Sequence, residues 1–144
     1  MIVSTPDPDH PPPFKVTNAI FCEEVRSELG GKHTILGASA GTLNLPTAGL
    51  IRVSAFIVIE PGKLGEQMLK LDISFAGKPV ASAEIELEVN ALDEPAVIPL
   101  PSFPLPILEN GVFAIDVTID GYRQRALSNP IRIAELKLEP SPET

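Results

Sequence analysis

Phe113-Ala114-Ile115-Asp116-Val117-Thr118-Ile119-Asp120-Gly121-Tyr122-Arg123-Gln124-Arg125 carries the clearest structural instruction in the chain. Large apolar side chains stand at Phe113, Ile115, Val117 and Ile119, and smaller or polar ones fill the positions between. Successive side chains on a strand point to opposite faces, so this alternation buries one face and wets the other. Asp120-Gly121 then supplies the two residues that a type I′ turn requires, both with positive φ. Folding back about that turn sets Thr118 opposite Arg123 and Asp116 opposite Arg125. A cross-strand ion pair supports this register, contributing about 0.2–1 kcal/mol where it is exposed.

The same period of two recurs elsewhere. Leu69, Leu71, Ile73 and Phe75 alternate with Lys70, Asp72 and Ser74. Ile85, Leu87 and Val89 alternate with Glu84, Glu86 and Glu88. Residues 50–59 are apolar on both parities over most of their length, the pattern of a central strand covered on both sides. Gly77-Lys78 before Pro79 reads as a tight turn, and Gly30-Gly31 as another. Parity changes between Ile131/Ile133 and Leu136/Leu138, which predicts a bulge near Ala134-Glu135. No stretch keeps a helical stripe beyond one turn. The expected fold is all-β: a single antiparallel β-sandwich, immunoglobulin-like or similar, of about seven to nine strands.

Its boundaries follow from proline. Pro6, Pro8, Pro11, Pro12 and Pro13 mark residues 1–13 as a disordered Pro-rich tail. The sandwich domain then covers 14–138, and 139–144 form a short C-terminal tail. Residues 95–106 hold Pro95, Pro99, Pro101, Pro104 and Pro106 among Val, Ile, Leu and Phe. A central strand does not carry prolines at that density. The stretch reads as an extended crossover whose apolar residues seal the core edge. Pro101-Ser102-Phe103-Pro104 also has the spacing of a polyproline ligand.

Composition removes several classes of function. The 144 residues carry a net charge of −8, without the basic stripe that gripping a phosphate backbone needs. Nucleic acid is therefore not an expected partner, nor is an anionic membrane surface. No run approaches the roughly 18 apolar residues of a membrane span. The N-terminus lacks the charged and apolar regions of a secretory signal, so a cytoplasmic location is expected. The single cysteine, Cys22, rules out an internal disulfide and a Cys-rich zinc site, and in Ala19-Ile20-Phe21-Cys22 it reads as a small buried hydrophobe.

Charge crowds together in residues 21–37. With Gly30-Gly31 as a two-residue hairpin loop, Glu28 faces His33, Arg26 faces Ile35 and Val25 faces Leu36. One face then gathers Glu24, Arg26, Glu28 and His33, with Lys32 beside the turn. Glu24, Glu28 and His33 are metal-ligating types, but Arg26 among them repels a cation, and no metal or cofactor is expected. Glu23 and Glu24 point to opposite faces, which does not suit a glycosidase pair. Two histidines, His10 and His33, leave little scope for a nucleophilic triad. Gly30-Gly31-Lys32 lacks the spacing of a phosphate loop. Glu84, Glu86, Glu88, Asp93 and Glu94 read as a solvated face that also guards an edge strand. The candidate binding surface is thus Glu24, Arg26, Glu28, Lys32 and His33, with no catalytic residues assigned.

The segment Phe21-Cys22-Glu23-Glu24-Val25-Arg26, with Glu28, Gly30-Gly31-Lys32 and Ile35-Leu36-Gly37, resembles a family of uncharacterised bacterial β-rich proteins, regarded as a domain of unknown function. Members share a Phe-Cys-acid-acid-Val/Ile-Arg segment, a Gly-Lys turn and a strand ending in Gly. After Gly37 they commonly carry an aromatic and an acidic residue, where this chain has Ala38-Ser39-Ala40-Gly41. The resemblance implies a single β-rich domain and no particular activity. The expected function is a non-enzymatic interaction or assembly module, with a protein partner or a second copy of itself. A small-ligand or glycan binder is the first alternative, and an enzyme using the 24–33 hairpin the second.

Overall fold

Phe113 to Arg125 form the hairpin that their sequence specifies. In the computed structural model, which describes residues 12–134, strand β10 (Gly111–Ile119) pairs antiparallel with β11 (Tyr122–Ile133). Thr118 lies opposite Arg123, and Asp116 opposite Arg125, in the expected register. Asp120 and Gly121 make the turn with φ of 51° and 77°. Beyond Asp116 the register shifts by one residue, a bulge that bends β11.

Nine further strands precede these: β1 (Phe14–Cys22), β2 (Glu24–Ser27), β3 (His33–Leu36), β4 (Leu43–Leu45), β5 (Gly49–Pro61), β6 (Gly65–Phe75), β7 (Lys78–Val89), β8 (Ala96–Pro99) and β9 (Phe103–Ile107). The described residues are all-β and contain no helix. Eleven strands replace the expected seven to nine, because the segments around Gly30-Gly31 and the prolines divide into short strands of their own. They form three sheets. One has the order β4-β11-β10-β6-β7; in another, β5 pairs with β1 on one side and with β8 and β9 on the other; β2 and β3 make a two-stranded sheet. Pairing is antiparallel except between β4 and β11, which run parallel.

The two larger sheets share one hydrophobic core. Val53, Ala55, Ile57 and Ile59 of β5 are buried with Leu69 and Leu71 of β6 and with Phe113, Ile115 and Val117 of β10. Phe21 of β1 stacks on Phe113, with ring centroids 5.0 Å apart. Phe14 meets Tyr122 edge to face at 5.5 Å. Polar bonds also tie the sheets together: the Val16 amide donates to Gln124 Oε1 at 3.2 Å.

The proline-rich stretch is more structured than a crossover. Both β8 and β9 pair with β5 along its free edge. Ile98, Leu100, Leu105 and Ile107 are buried, while Pro99, Pro101, Pro104 and Pro106 point outward. Edge strands tolerate proline because no second neighbour needs its missing N–H. Ser102 is bound into the molecule, its hydroxyl donating to the Glu23 carbonyl at 2.7 Å while Arg52 donates to it at 3.0 Å. Pro101 and Ser102 link β8 to β9 and Phe103-Pro104 begin β9, so this PxxP segment is tied into the sheet edge.

Three smaller expectations change. The β6–β7 turn uses Ala76-Gly77, one residue earlier than Gly77-Lys78, with φ of 52° and 77°. Pro13 does not belong to a free tail: its carbonyl accepts from the Gly62 amide at 2.7 Å. The outer face of β5 is half-buried, not fully covered, and the β2–β3 hairpin lies against it. The bulge expected at Ala134-Glu135 and the tails 1–11 and 139–144 fall outside the described residues.

Candidate functional site

The hairpin singled out by its charge exists, but with a different loop. The Glu28 amide donates to the Lys32 carbonyl at 2.7 Å, enclosing the three residues Leu29-Gly30-Gly31. Gly30 and Gly31 adopt φ of 80° and 75°, a conformation that side chains with a Cβ resist. The pairing becomes Glu24 with Leu36, Val25 with Ile35, Arg26 with Thr34 and Ser27 with His33. It differs by one residue from the two-residue-loop register. Because side chains alternate, one residue moves a whole strand's side chains to the other face.

The expected cluster therefore divides. Glu24, Arg26, Glu28 and Lys32 stay on one face with Thr34. Arg26 Nε donates to Glu24 Oε2 at 3.3 Å, and Thr34 Oγ1 donates to Glu28 Oε1 at 2.9 Å. His33 lies on the opposite face with Val25, Ser27 and Ile35. Its ring centroid is 5.4 Å from that of Phe56, and Nδ1 is 3.4 Å from Ser27 Oγ. The histidine thus helps seat the hairpin on β5, and it does not converge with the glutamates. Among the described residues, no group of three His, Cys, Asp or Glu is placed to hold a metal ion. The Arg26–Glu24 pair is well exposed, a geometry worth about 0–1 kcal/mol. At the tip, Leu29 is 97% exposed.

A second constellation lies on the outer face of the five-stranded sheet. There the register aligns Ser82, Asp72, Asp116 and Arg125 in one row, and Glu84, Lys70, Thr118 and Arg123 in the next. Bulges at Ile73/Ser74 and Ile115/Asp116 bend the flanking strands. The face holds a groove of about 580 Å³ lined by Lys70, Asp72, Ser74, Ser82, Arg123 and Arg125, with Asp116 in its floor. The Asp116 side chain is 7% exposed. Arg125 grips it with two bonds, Nε to Oδ1 at 2.9 Å and Nη2 to Oδ2 at 3.3 Å, and Arg123 Nη2 also donates to Oδ2. Burial pushes the Asp116 carboxyl pKa up, but the hydrogen bonds and charges of Arg125 and Arg123 together outweigh it and hold it below the ordinary value. Asp116 in turn raises that of Arg125. The sequence marks Asp116 and Arg125 as a register-supporting pair but does not reveal that Asp116 is buried between two half-exposed arginines. The available signal was an Asp paired across a turn with an Arg-x-Arg segment.

Cys22 is buried, as its apolar neighbours imply. Burial raises its pKa, against the opposing hydrogen bonds of Ser54 and the Glu24 backbone. Among the described residues there is no helix long and apolar enough to cross a membrane. No protein-family model matches the chain, and no curated protein matches it in sequence.

Proposed function

We propose that this chain is a non-enzymatic, immunoglobulin-like β-sandwich acting in the cytoplasm through protein contacts, with the β2–β3 hairpin as its contact element. The observation that carries the reading is Leu29, a large apolar side chain 97% exposed at a hairpin tip between Glu28 and Lys32. Burying a leucine side chain contributes roughly 1.5–3 kcal/mol, so a partner pocket that accepts it gains about tenfold to a hundredfold in affinity. Glu28 and Lys32 supply flanking charges of both signs, which orient an encounter more than they strengthen it. Among the described residues the hairpin strands pair with each other and rest on β5, so the tip is presented without being part of the core. The likeness of residues 21–37 to a family of β-rich proteins centres on this hairpin, and we extend the proposal to membership of that family.

The test compares the parent with Leu29→Asp and Arg26→Ala by light scattering after size exclusion and by capture from the host lysate. A self-association or a captured partner that the parent shows and Leu29→Asp loses, at unchanged melting temperature, is the expected result. Identical behaviour of parent and variants contradicts the assignment of the contact to the hairpin.

A further inference from the structure

We propose that the groove on the outer face of the five-stranded sheet binds a small organic carboxylate, through Arg123 and Arg125. This inference does not depend on the hairpin reading, since the groove and the hairpin lie on different sheets.

The argument begins with charge. The chain as a whole is acidic, at −8, yet three of its eleven Lys and Arg residues line this one groove. Within the groove's lining, two guanidiniums share one carboxylate, Asp116, which leaves one positive charge unmatched there; Glu84, opposite Lys70 in the neighbouring row, lies outside the lining. The remaining pair, Lys70 and Asp72, stands 3.9 Å apart and is neutral as a unit. A ligand carrying a single negative charge completes the balance. A phosphate dianion overshoots it, next to Asp72 and Asp116, which face each other across β6 and β10.

Hydrogen-bonding capacity points the same way. Asp116 is buried and already accepts from both arginines, so it has little to offer a ligand. Among the described residues, hydrogen bonding engages only Nη2 of Arg123, leaving Nε and Nη1 as open donors. Arg125 uses its Nε and Nη2 edge on Asp116 and keeps the edge formed by Nη1 and the second Nη2 N–H, and Arg123, which donates through Nη2 alone, likewise keeps a two-bond edge. Ser74 and Ser82 add hydroxyls along the wall. An array of planar N–H donors matches the two oxygens of a carboxylate, which guanidinium binds in parallel bonds. The buried Asp116 holds both guanidiniums in place beforehand, so binding costs less side-chain ordering. The groove, about 580 Å³, has the volume of a small-molecule site and accommodates an organic body behind the carboxylate.

The probes are butyrate, a monocarboxylate, and inorganic phosphate at matched ionic strength, added to ¹⁵N-labelled full-length protein. The expected result is a saturable shift of the Arg123 and Arg125 Nε–H resonances with butyrate, at least about tenfold tighter than with phosphate. Arg123→Gln, which leaves both Arg125 bonds to Asp116 in place, should weaken butyrate binding by about tenfold or more and lower the melting temperature by less than Asp116→Asn does. Arg123→Lys should also fail to restore it, because an ammonium lacks the planar fork. The control Lys15→Gln, on the other large sheet, should leave it unaltered. Non-saturable shifts, phosphate binding as tight as butyrate, or an Arg123→Gln variant that binds like the parent would each overturn the proposal.

Discussion

Replacing Asp116 with asparagine tests how the outer face is held together. The substitution keeps the shape and removes the charge on which Arg123 and Arg125 converge. A hydrogen bond to a charged group contributes about 1.5–3 kcal/mol when shielded, and an exposed ion pair about 0.2–1 kcal/mol. Asp116 is buried, but the arginine side chains are 48% and 53% exposed, so water competes for their end of each bond. Neutralisation also relieves the repulsion from Asp72, directly across the strand pair. The balance is a loss of about 2 kcal/mol at pH 7, or roughly 6 °C in melting temperature for a chain of this size. The folded pKa of Asp116 lies below the ordinary carboxyl value. Its contribution is therefore complete above the unfolded pKa, about 3.9, and fades as pH falls through the lower folded value. Urea melts of parent and variant across this range should show a gap at pH 7 that closes in acid, with equal m-values. A gap near zero at neutral pH, or one that persists unchanged once the carboxyl is protonated, would show that Asp116 does not hold the two arginines through its charge.

Three further expectations concern the scaffold. Phe113→Ala removes a fully buried ring stacked on Phe21 and should cost about 3–5 kcal/mol in urea denaturation. Gly111→Ala sets a Cβ only 2.7 Å from Ala76 Cβ, so it should destabilise by about 1–3 kcal/mol, and Ala76→Gly in the same chain should recover part of that loss. Cys22 is buried with a raised pKa, so a thiol reagent at neutral pH should label it only on unfolding, with the labelled fraction following the urea transition.

Residues 113–125 were readable because local and non-local signals agree there. The alternation fixes the faces, and Asp120-Gly121 fixes the register that those faces require. The β2–β3 hairpin lacks that redundancy. Two glycines allow either a two- or a three-residue loop, and His33, Thr34 and Ile35 contain no strict alternation to choose between them. Contact with Phe56, remote in sequence, favours the register that turns His33 and Val25 toward β5. The burial of Asp116 is likewise non-local, since the groove around it is walled by β6, β7 and β11 as well as its own strand. In residues 98–107 the buried Ile98, Leu100, Leu105 and Ile107 do alternate with proline, yet proline's density obscured a pattern that only an edge position permits. Leu43-Asn44-Leu45 is too short to announce its parallel pairing with β11.

We propose that the hairpin tip makes the protein contact while the two larger sheets serve as its scaffold. Its most direct test is the dissociation constant of Leu29→Ala and of the parent for the captured partner, or for self-association, alongside their melting temperatures. Affinity should fall by about tenfold to a hundredfold, because a buried leucine contributes roughly 1.5–3 kcal/mol, with no change in melting temperature. Equal affinities for the two proteins contradict it.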